Sequence, residues 1–146
     1  MDLKAERLNY FRAMIDKEGS KEMPPFSRWL GGVIREVKEG EFSVEFLIRE
    51  EMTNPAGVLH GGIHAAILDE VIGMTVFALG KDFYYLSTNL SIDFLSSAKK
   101  GDKVVAKSRI IREGKQVINA IGELFDKQGK ILSRASSNLV RTSLTP

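Results

Sequence analysis

The chain has 146 residues, which is enough for a single domain with a sizeable core. Its 21 Lys and Arg residues nearly balance 19 Asp and Glu residues, and a net charge of +2 gives no reason to expect nucleic acid or an anionic membrane as a partner. The absence of cysteine excludes disulfides, thiolate zinc sites and a cysteine nucleophile. The charged start has no apolar segment like that of a signal peptide, so we expect a cytoplasmic protein with one domain, residues 1–146.

The first thirty residues combine a helical pattern with breaks. Apolar residues at helical spacing predict a short N-terminal helix over 2–18. Gly19 and the pair Pro24-Pro25 then interrupt the chain. The apolar patch that follows, Phe26, Trp29 and Leu30, would either pack on the flank of the domain or form one wall of a ligand pocket.

The most apolar stretch, Ile63 to Leu79, predicts a long central helix. It follows Gly61-Gly62 and ends at Gly80, a common terminator of helices. Because this helix is apolar on all sides, we expect the rest of the chain to wrap around it. It is too short, and carries charge too near its middle, to favour a membrane span.

Two adjacent acids lie near the middle of this helix, Asp69 and Glu70. A carboxylate enclosed by apolar surroundings must have a specific partner or a function, which makes Asp69 a candidate functional residue. Glu70 is turned by about 100° around the helix axis, so it cannot face the same pocket. We expect Glu70 to face solvent or to pair at an interface.

Alternating and β-rich segments predict the strands. Two of them, 33–38 and 42–48, read as a hairpin before the central helix, and the segments 84–94, 104–111, 117–125 and 131–140 follow it. Short glycine-containing turns join the last three into an antiparallel meander. On the segment 84–94, alternation would place the residues Leu86, Thr88, Leu90, Ile92 and Phe94 on one face. The predicted class is α+β, a curled antiparallel sheet around one helix, with the core at 33–140.

The loop before the helix carries the most specific pattern, Asn54-Pro55-Ala56-Gly57-Val58-Leu59-His60-Gly61-Gly62, followed by Leu68-Asp69. A second part is the strand end and loop at 93–102. Together they resemble the hotdog-fold acyl-CoA thioesterases of the phenylacetate-pathway type, which includes the PaaI-like and 4-hydroxybenzoyl-CoA thioesterases. The resemblance covers roughly 33–140. It implies hydrolysis of an acyl-CoA with no metal and no cofactor, because coenzyme A is part of the substrate.

The resemblance also implies roles for individual residues. Asp69 would be the nucleophile or general base, and the Gly61 N–H would polarise the thioester carbonyl as an oxyanion hole does. Asn54 would contact the thioester or position a water, and Ser87 would help to place the attacking water. The residues His60, Gly62 and Thr88 are expected to contribute to substrate binding. The structural alternatives are that His60 holds its loop, which we favour over a role as a base, and that Asn54 and Gly61 are turn residues.

A single chain cannot bring Gly61 and Asp69 to one reacting atom. Eight residues of helix separate them by about 12 Å, whereas both must lie within about 3 Å of the reacting centre, directly or through one water. Two antiparallel central helices related by a twofold axis satisfy this requirement. We therefore expect a homodimer with shared active sites, and the resemblance implies that dimers pair into a homotetramer.

The same residues leave other functions open. One alternative is a non-catalytic acyl-CoA-binding hotdog domain, and another is a hotdog dehydratase that uses a histidine and an acid. His60 and His64 are four residues apart, a zinc-binding spacing on a helix, but the sequence has no third histidine and no cysteine. No G-x-S-x-G segment supports a serine triad.

Overall fold

A computed structural model describes residues 2–19 and 21–146. In chain order, the elements are α1 (Leu3–Arg12), α2 (Pro25–Leu30), β1 (Val33–Lys38), β2 (Glu41–Leu47), a 3₁₀ turn (Glu50–Met52), α3 (Gly61–Phe77), β3 (Tyr85–Phe94), β4 (Lys103–Glu113), β5 (Val117–Phe125) and β6 (Ile131–Arg141). The strands form one six-stranded antiparallel sheet in the order β1-β2-β4-β5-β6-β3. The α+β prediction, the first hairpin and the β4-β5-β6 meander are confirmed.

Helix α3 packs against the sheet and forms the centre of the core. Ile67, Leu68 and Ile72 on this helix are fully buried, and they pack with inward residues of the strands such as Ile118 and Leu124. Burial of one such side chain stabilises the fold by about 1.5–3 kcal/mol. The sheet therefore explains why the residues on one side of α3 are apolar. It does not explain the apolar residues on the opposite side.

The prediction that the chain wraps α3 on all sides is wrong. Asp69 and Gly62 are exposed, and Ala65, Ala66 and Gly73 on the same face are only partly covered. These positions share one face because they recur at helical spacing. Small residues give this face little side-chain volume to bury. One face of α3 is thus open in a single chain.

The N-terminal segments depart from the predicted boundaries. Helix α1 ends at Arg12 and not at 18, because the chain turns at 13–16, where Asp16 has a positive φ of 63° and its N–H bonds to the Ile34 carbonyl. Pro25 does not break the chain but occupies the first turn of α2, where its missing N–H has no cost. Helix α2 ends at Gly31, whose φ of 73° is left-handed.

Strand β3 lies at the edge of the sheet, paired with β6 alone. Its register shifts between Ser87 and Asn89, so Thr88 is the extra residue of a β-bulge. The bulge reverses the alternation predicted for this strand: Leu90 and Ile92 pack on the core, whereas Leu86 is 50% exposed. The prediction that Leu86 and Thr88 share a face with Leu90 is therefore wrong. No helix within residues 2–19 and 21–146 has the length and apolar character needed to cross a membrane.

Candidate active site

Asp69 and Ser87 meet at the open face of α3. The Ser87 hydroxyl donates a hydrogen bond of 3.0 Å to Asp69 Oδ1, and both residues are exposed. Ser87 points toward the helix because it lies just before the bulge at Thr88, after which the strand changes face. The expectation of a buried Asp69 is wrong for a single chain, since only one side of α3 is covered. The second carboxylate oxygen, Oδ2, remains available as an acceptor.

A groove of about 1060 Å³ begins at this pair and runs along α3. Its walls are α1, the segment that leads into α2, α3 and the start of β3. The apolar lining includes Leu3, Tyr10, Phe11, Met74, Phe77 and Leu86. An apolar groove with a carboxylate and a hydroxyl at one end is the usual form of a small-molecule site.

The amino end of α3 carries the second predicted catalytic group. The first N–H groups of a helix have no acceptor within the helix and carry partial positive charge. The Gly62 N–H donates to His60 Nδ1 at 2.8 Å, whereas the Gly61 N–H has no acceptor among the described residues. A Cβ on Gly61 would lie 3.3 Å from the Phe94 ring, so this ring lies close to Gly61.

His60 and His64 each have a bonding partner inside the chain. The His60 Nδ1 accepts the hydrogen bond from the Gly62 N–H and so caps the amino end of α3. His64 is buried, bonds to Ser133 Oγ at 2.8 Å and contacts the edge of the Phe94 ring, and burial lowers the pKa of His64. Neither histidine lines the groove beside Asp69. Within the described ranges, no three His, Cys, Asp or Glu side chains are grouped so that they could hold a metal ion.

Asn54 organises the loop that leads to the helix. Its side-chain oxygen accepts from the Ala56 N–H at 3.0 Å and from the Val58 N–H at 3.3 Å. This is the local bonding that makes Asn common in turns. With that oxygen committed, the amide NH₂ of Asn54 is the part left to meet a substrate, and such a role stays a prediction.

Thr88 and Glu70 both depart from what the sequence predicted. The Thr88 hydroxyl donates to the Asn138 carbonyl at 3.1 Å, so its position on the bulge ties it to β6. Glu70 is partly buried and accepts a hydrogen bond from the Ser27 hydroxyl of α2. The expectation that Glu70 faces solvent is wrong, because α2 folds back against this side of α3. The expectation that Glu70 cannot face the pocket of Asp69 is also wrong, since both carboxylates line the same groove. Pairing of Glu70 at an interface stays a prediction. The predicted substrate contacts of Gly62, His60 and Thr88 remain untested.

The fold brings Asp69 and Ser87 together but keeps Gly61 apart from them. Gly61 and Asp69 belong to the same helix, eight residues and about 12 Å apart. Sequence reasoning missed the contribution of α1, where the buried Arg7 donates to the Phe77 carbonyl at 2.9 Å and stacks 4.1 Å above the Phe77 ring. It also missed Gly73, which lines the groove and whose only sequence signal is a glycine inside a helix.

The strand order and the single long helix against one face of the sheet define the hotdog class of folds. The chain belongs to the thioesterase superfamily, whose sequence pattern matches residues 56–133. The resemblance to this family and the predicted fold are thereby confirmed.

Individual proteins show the same relationship. Human acyl-coenzyme A thioesterase 13 is 28% identical over 111 residues, which are 75% of this chain and 79% of that protein. The phenylacetic acid degradation-related protein of Ralstonia eutropha JMP134 is 29% identical, with a TM-score of 0.78 over 94% of this chain and 98% of that one. The PaaI protein of the E. coli phenylacetic acid degradation operon has a TM-score of 0.83 and 22% identity, and 98% of each chain is covered.

Proposed function

We propose that this protein hydrolyses an acyl-CoA thioester to the free acid and coenzyme A at sites shared by two copies of the chain. The observation that carries the proposal is the Asp69–Ser87 pair, which stands on the open face of α3 at the mouth of an apolar groove. Membership of the thioesterase superfamily supports the reaction type. The name of the human relative supports an acyl-CoA as the substrate.

Two features of the surface support a dimer. The open face of α3 bears small residues, and the neighbouring edge strand β3 has one side without a partner strand. Leu86, Phe94 and Leu95 are each at least half exposed at this edge, an arrangement that favours association. A twofold axis across the face makes the two α3 helices antiparallel. If the axis passes midway between Gly61 and Asp69, Gly61 of one chain lies opposite Asp69 of the partner subunit, and the contact is self-complementary.

In the proposed reaction the thioester carbonyl oxygen accepts a hydrogen bond from the Gly61 N–H, which stabilises the oxyanion as it forms. Asp69 of the partner subunit takes a proton from a water as that water adds to the carbonyl carbon. Ser87 donates to Oδ1 and holds the carboxylate so that Oδ2 faces the water. The C–S bond then breaks, the thiolate of coenzyme A leaves, and a proton returns to it from Asp69 or solvent.

The positions of the histidines favour hydrolysis over dehydration. A dehydratase of this fold would need a histidine beside the acid, but His60 caps the helix and His64 is buried against Ser133. A binding domain without turnover would have no need for a carboxylate held at the mouth of its groove. We also propose that residues 1–146 form one domain and that the protein is cytoplasmic. We propose further that dimers pair into tetramers, and light scattering on the purified chain will test this by its molar mass.

Complementation between two inactive chains tests the shared site. The variant Asp69→Asn keeps the Gly61 N–H, and Gly61→Pro keeps Asp69. Proline suits the first helical position, and His60 already has the extended conformation (φ −62°, ψ 138°) that a following proline needs. Each variant alone should be nearly inactive. After mixing and exchange of subunits, half of the dimers contain one intact site, so about a quarter of wild-type thiol release should return.

Gly61→Ala is the matched control, because it adds a Cβ near Phe94 but keeps the N–H. It should retain far more activity than Gly61→Pro. Failure to recover activity in mixtures that light scattering shows to have exchanged subunits would contradict the shared site. Absence of thiol release by the wild-type chain from short, long and aryl acyl-CoAs would contradict the proposed reaction.

A further inference from the structure

Gly73 lies inside α3, four residues after Asp69, and nothing in its own chain accounts for the absence of a side chain there. It has an ordinary helical φ, and a Cβ built on it would meet no atom within 4 Å. Glycine in a helix interior lowers helix stability relative to alanine. Packing within the chain therefore gives no reason for this less stable choice, and the open space beside Gly73 is available to something outside the chain.

The groove that starts at Asp69 passes Gly73 and continues to Phe77, whose ring lies under the guanidinium of Arg7 of α1. Asp69, Gly73 and Phe77 follow one another at intervals of one helical turn and share a face. A larger side chain at position 73 would lie between the carboxylate of Asp69 and the apolar part of the groove.

The partner's helix does not reach this position in the proposed dimer. If Gly61 of each chain lies opposite Asp69 of the partner subunit, the two α3 helices overlap only between these residues. Gly73 is one turn beyond the overlap, in the groove and outside the small open surface formed by Ala65, Ala66 and the start of β3. In this register the partner subunit's loop before its α3 would lie opposite Gly73, and the apolar groove between that loop and α1 is the space open to the acyl group of the substrate.

The charges along the groove favour an uncharged acyl group. The lining includes the carboxylates of Glu6, Glu70 and Asp82 besides Asp69, and Arg7 is the one cation among the described lining residues. The guanidinium of Arg7 is already committed to the Phe77 carbonyl and ring. A second carboxylate at the distal end of the acyl group would be repelled.

We propose that Gly73 is the residue that sets the length of acyl group this enzyme accepts, and that its substrates are neutral acyl-CoAs whose apolar part extends past Gly73. This inference rests on the proposed function. Gly73 is about 6 Å along the axis from Asp69, so a chain of roughly five or more carbons, or an aromatic ring, reaches it. Short acyl groups such as acetyl end before it.

Binding of non-hydrolysable analogues tests the inference separately from catalysis. Thioethers of coenzyme A carrying an ethyl, an octyl or a carboxy-terminated octyl chain would be titrated calorimetrically into wild-type protein and the variants Gly73→Ala, Gly73→Val and Gly73→Leu. The wild type should bind the octyl thioether at least about tenfold more tightly than the ethyl one, since several methylenes become buried. It should bind the carboxylated chain more weakly than the octyl chain.

The preference for octyl over ethyl should fall stepwise through the series and be lost in Gly73→Leu. Asn9→Leu, which adds the same side chain on α1 outside the groove, should keep the wild-type preference. Three results for Gly73→Leu would overturn the inference. These are an equal loss of affinity for the octyl and ethyl thioethers, an unchanged preference for octyl over ethyl, and conversion of the dimer to monomer. Since the thioethers cannot be hydrolysed, a wild-type chain with no thioesterase activity would contradict the proposed function while the binding series still decides the role of Gly73.

Discussion

The Ser87 hydroxyl donates to Asp69 Oδ1 at 3.0 Å and so joins the edge strand β3 to the open face of α3. This contact exists because the bulge at Thr88 turns Ser87 toward the helix while Leu90 and Ile92 still reach the core. Bulges often re-aim a side chain next to an active site. The contact fixes one oxygen of the proposed catalytic carboxylate and leaves the other free to act.

Replacing the carboxylate of Asp69 should nearly abolish hydrolysis. Asp69→Asn keeps the shape of the side chain and a hydrogen bond with Ser87, but it cannot take a proton from water. We expect the rate of thiol release from an acyl-CoA to fall by about 10²–10⁴-fold. Glu39→Gln, at an exposed carboxylate paired with Lys4, is the control and should keep wild-type activity. Turnover by Asp69→Asn within a few-fold of wild type would show that the base lies elsewhere.

Ser87→Ala should reduce turnover through its effect on Asp69. Loss of one exposed hydrogen bond corresponds to a fall in kcat of about threefold to tenfold, with KM affected less because the apolar walls of the groove are unchanged. Ser87→Thr restores a hydroxyl and should recover part of the rate. Ser91→Ala, in the same strand but after the bulge, should behave as wild type. Parallel changes in KM and kcat for Ser87→Ala would point to a binding role instead.

Arg7 should contribute to stability by joining α1 to the end of α3. Arg7→Met keeps most of the apolar stem but loses the bond to the Phe77 carbonyl and the contact with the Phe77 ring. Because burial also lowers the pKa of Arg7, removing the charge relieves some desolvation. We expect Arg7→Met to lower the free energy of unfolding, measured with urea, by about 1–2 kcal/mol. Arg12→Met, exposed on the same helix, should change it little; an equal loss would refute a specific role of Arg7.

His64 should make stability depend on pH. Burial lowers the pKa of His64 below the value near 6.5 that it has when unfolded, so between these two values the unfolded chain binds more protons. The contribution is fully present above about pH 6.5 and is lost as the pH falls toward the folded pKa. Urea titrations at pH 8 and pH 5, at one protein concentration, should show a smaller pH-dependent loss in His64→Gln than in wild type. Identical losses of stability in the two proteins would show that His64 is not the origin of the pH dependence.

Much of the fold could be predicted from local patterns. The apolar run of α3, the alternation of β5 and the glycine turns each identify their element, since period and turn chemistry act over a few residues. The loop from Asn54 to Gly62 and the Leu68-Asp69 pair indicated the family and the proposed catalytic groups. The predictions were wrong where contacts between distant segments decide the local structure. These places are the end of α1, the packing of α2 against Glu70, and the bulge at Thr88.

The sequence by itself determined that a long apolar helix with a lone acid pair would stand among antiparallel strands, because hydrophobic periodicity is a local property. Only the tertiary structure decided which side of that helix the sheet covers. Packing area is limited, and covering Ile67, Leu68 and Ile72 leaves the face of Asp69 and Gly73 open. The same packing brought Ser87 to Asp69 and left room beside Gly73, relationships that depend on strand register and could not be read from either segment alone.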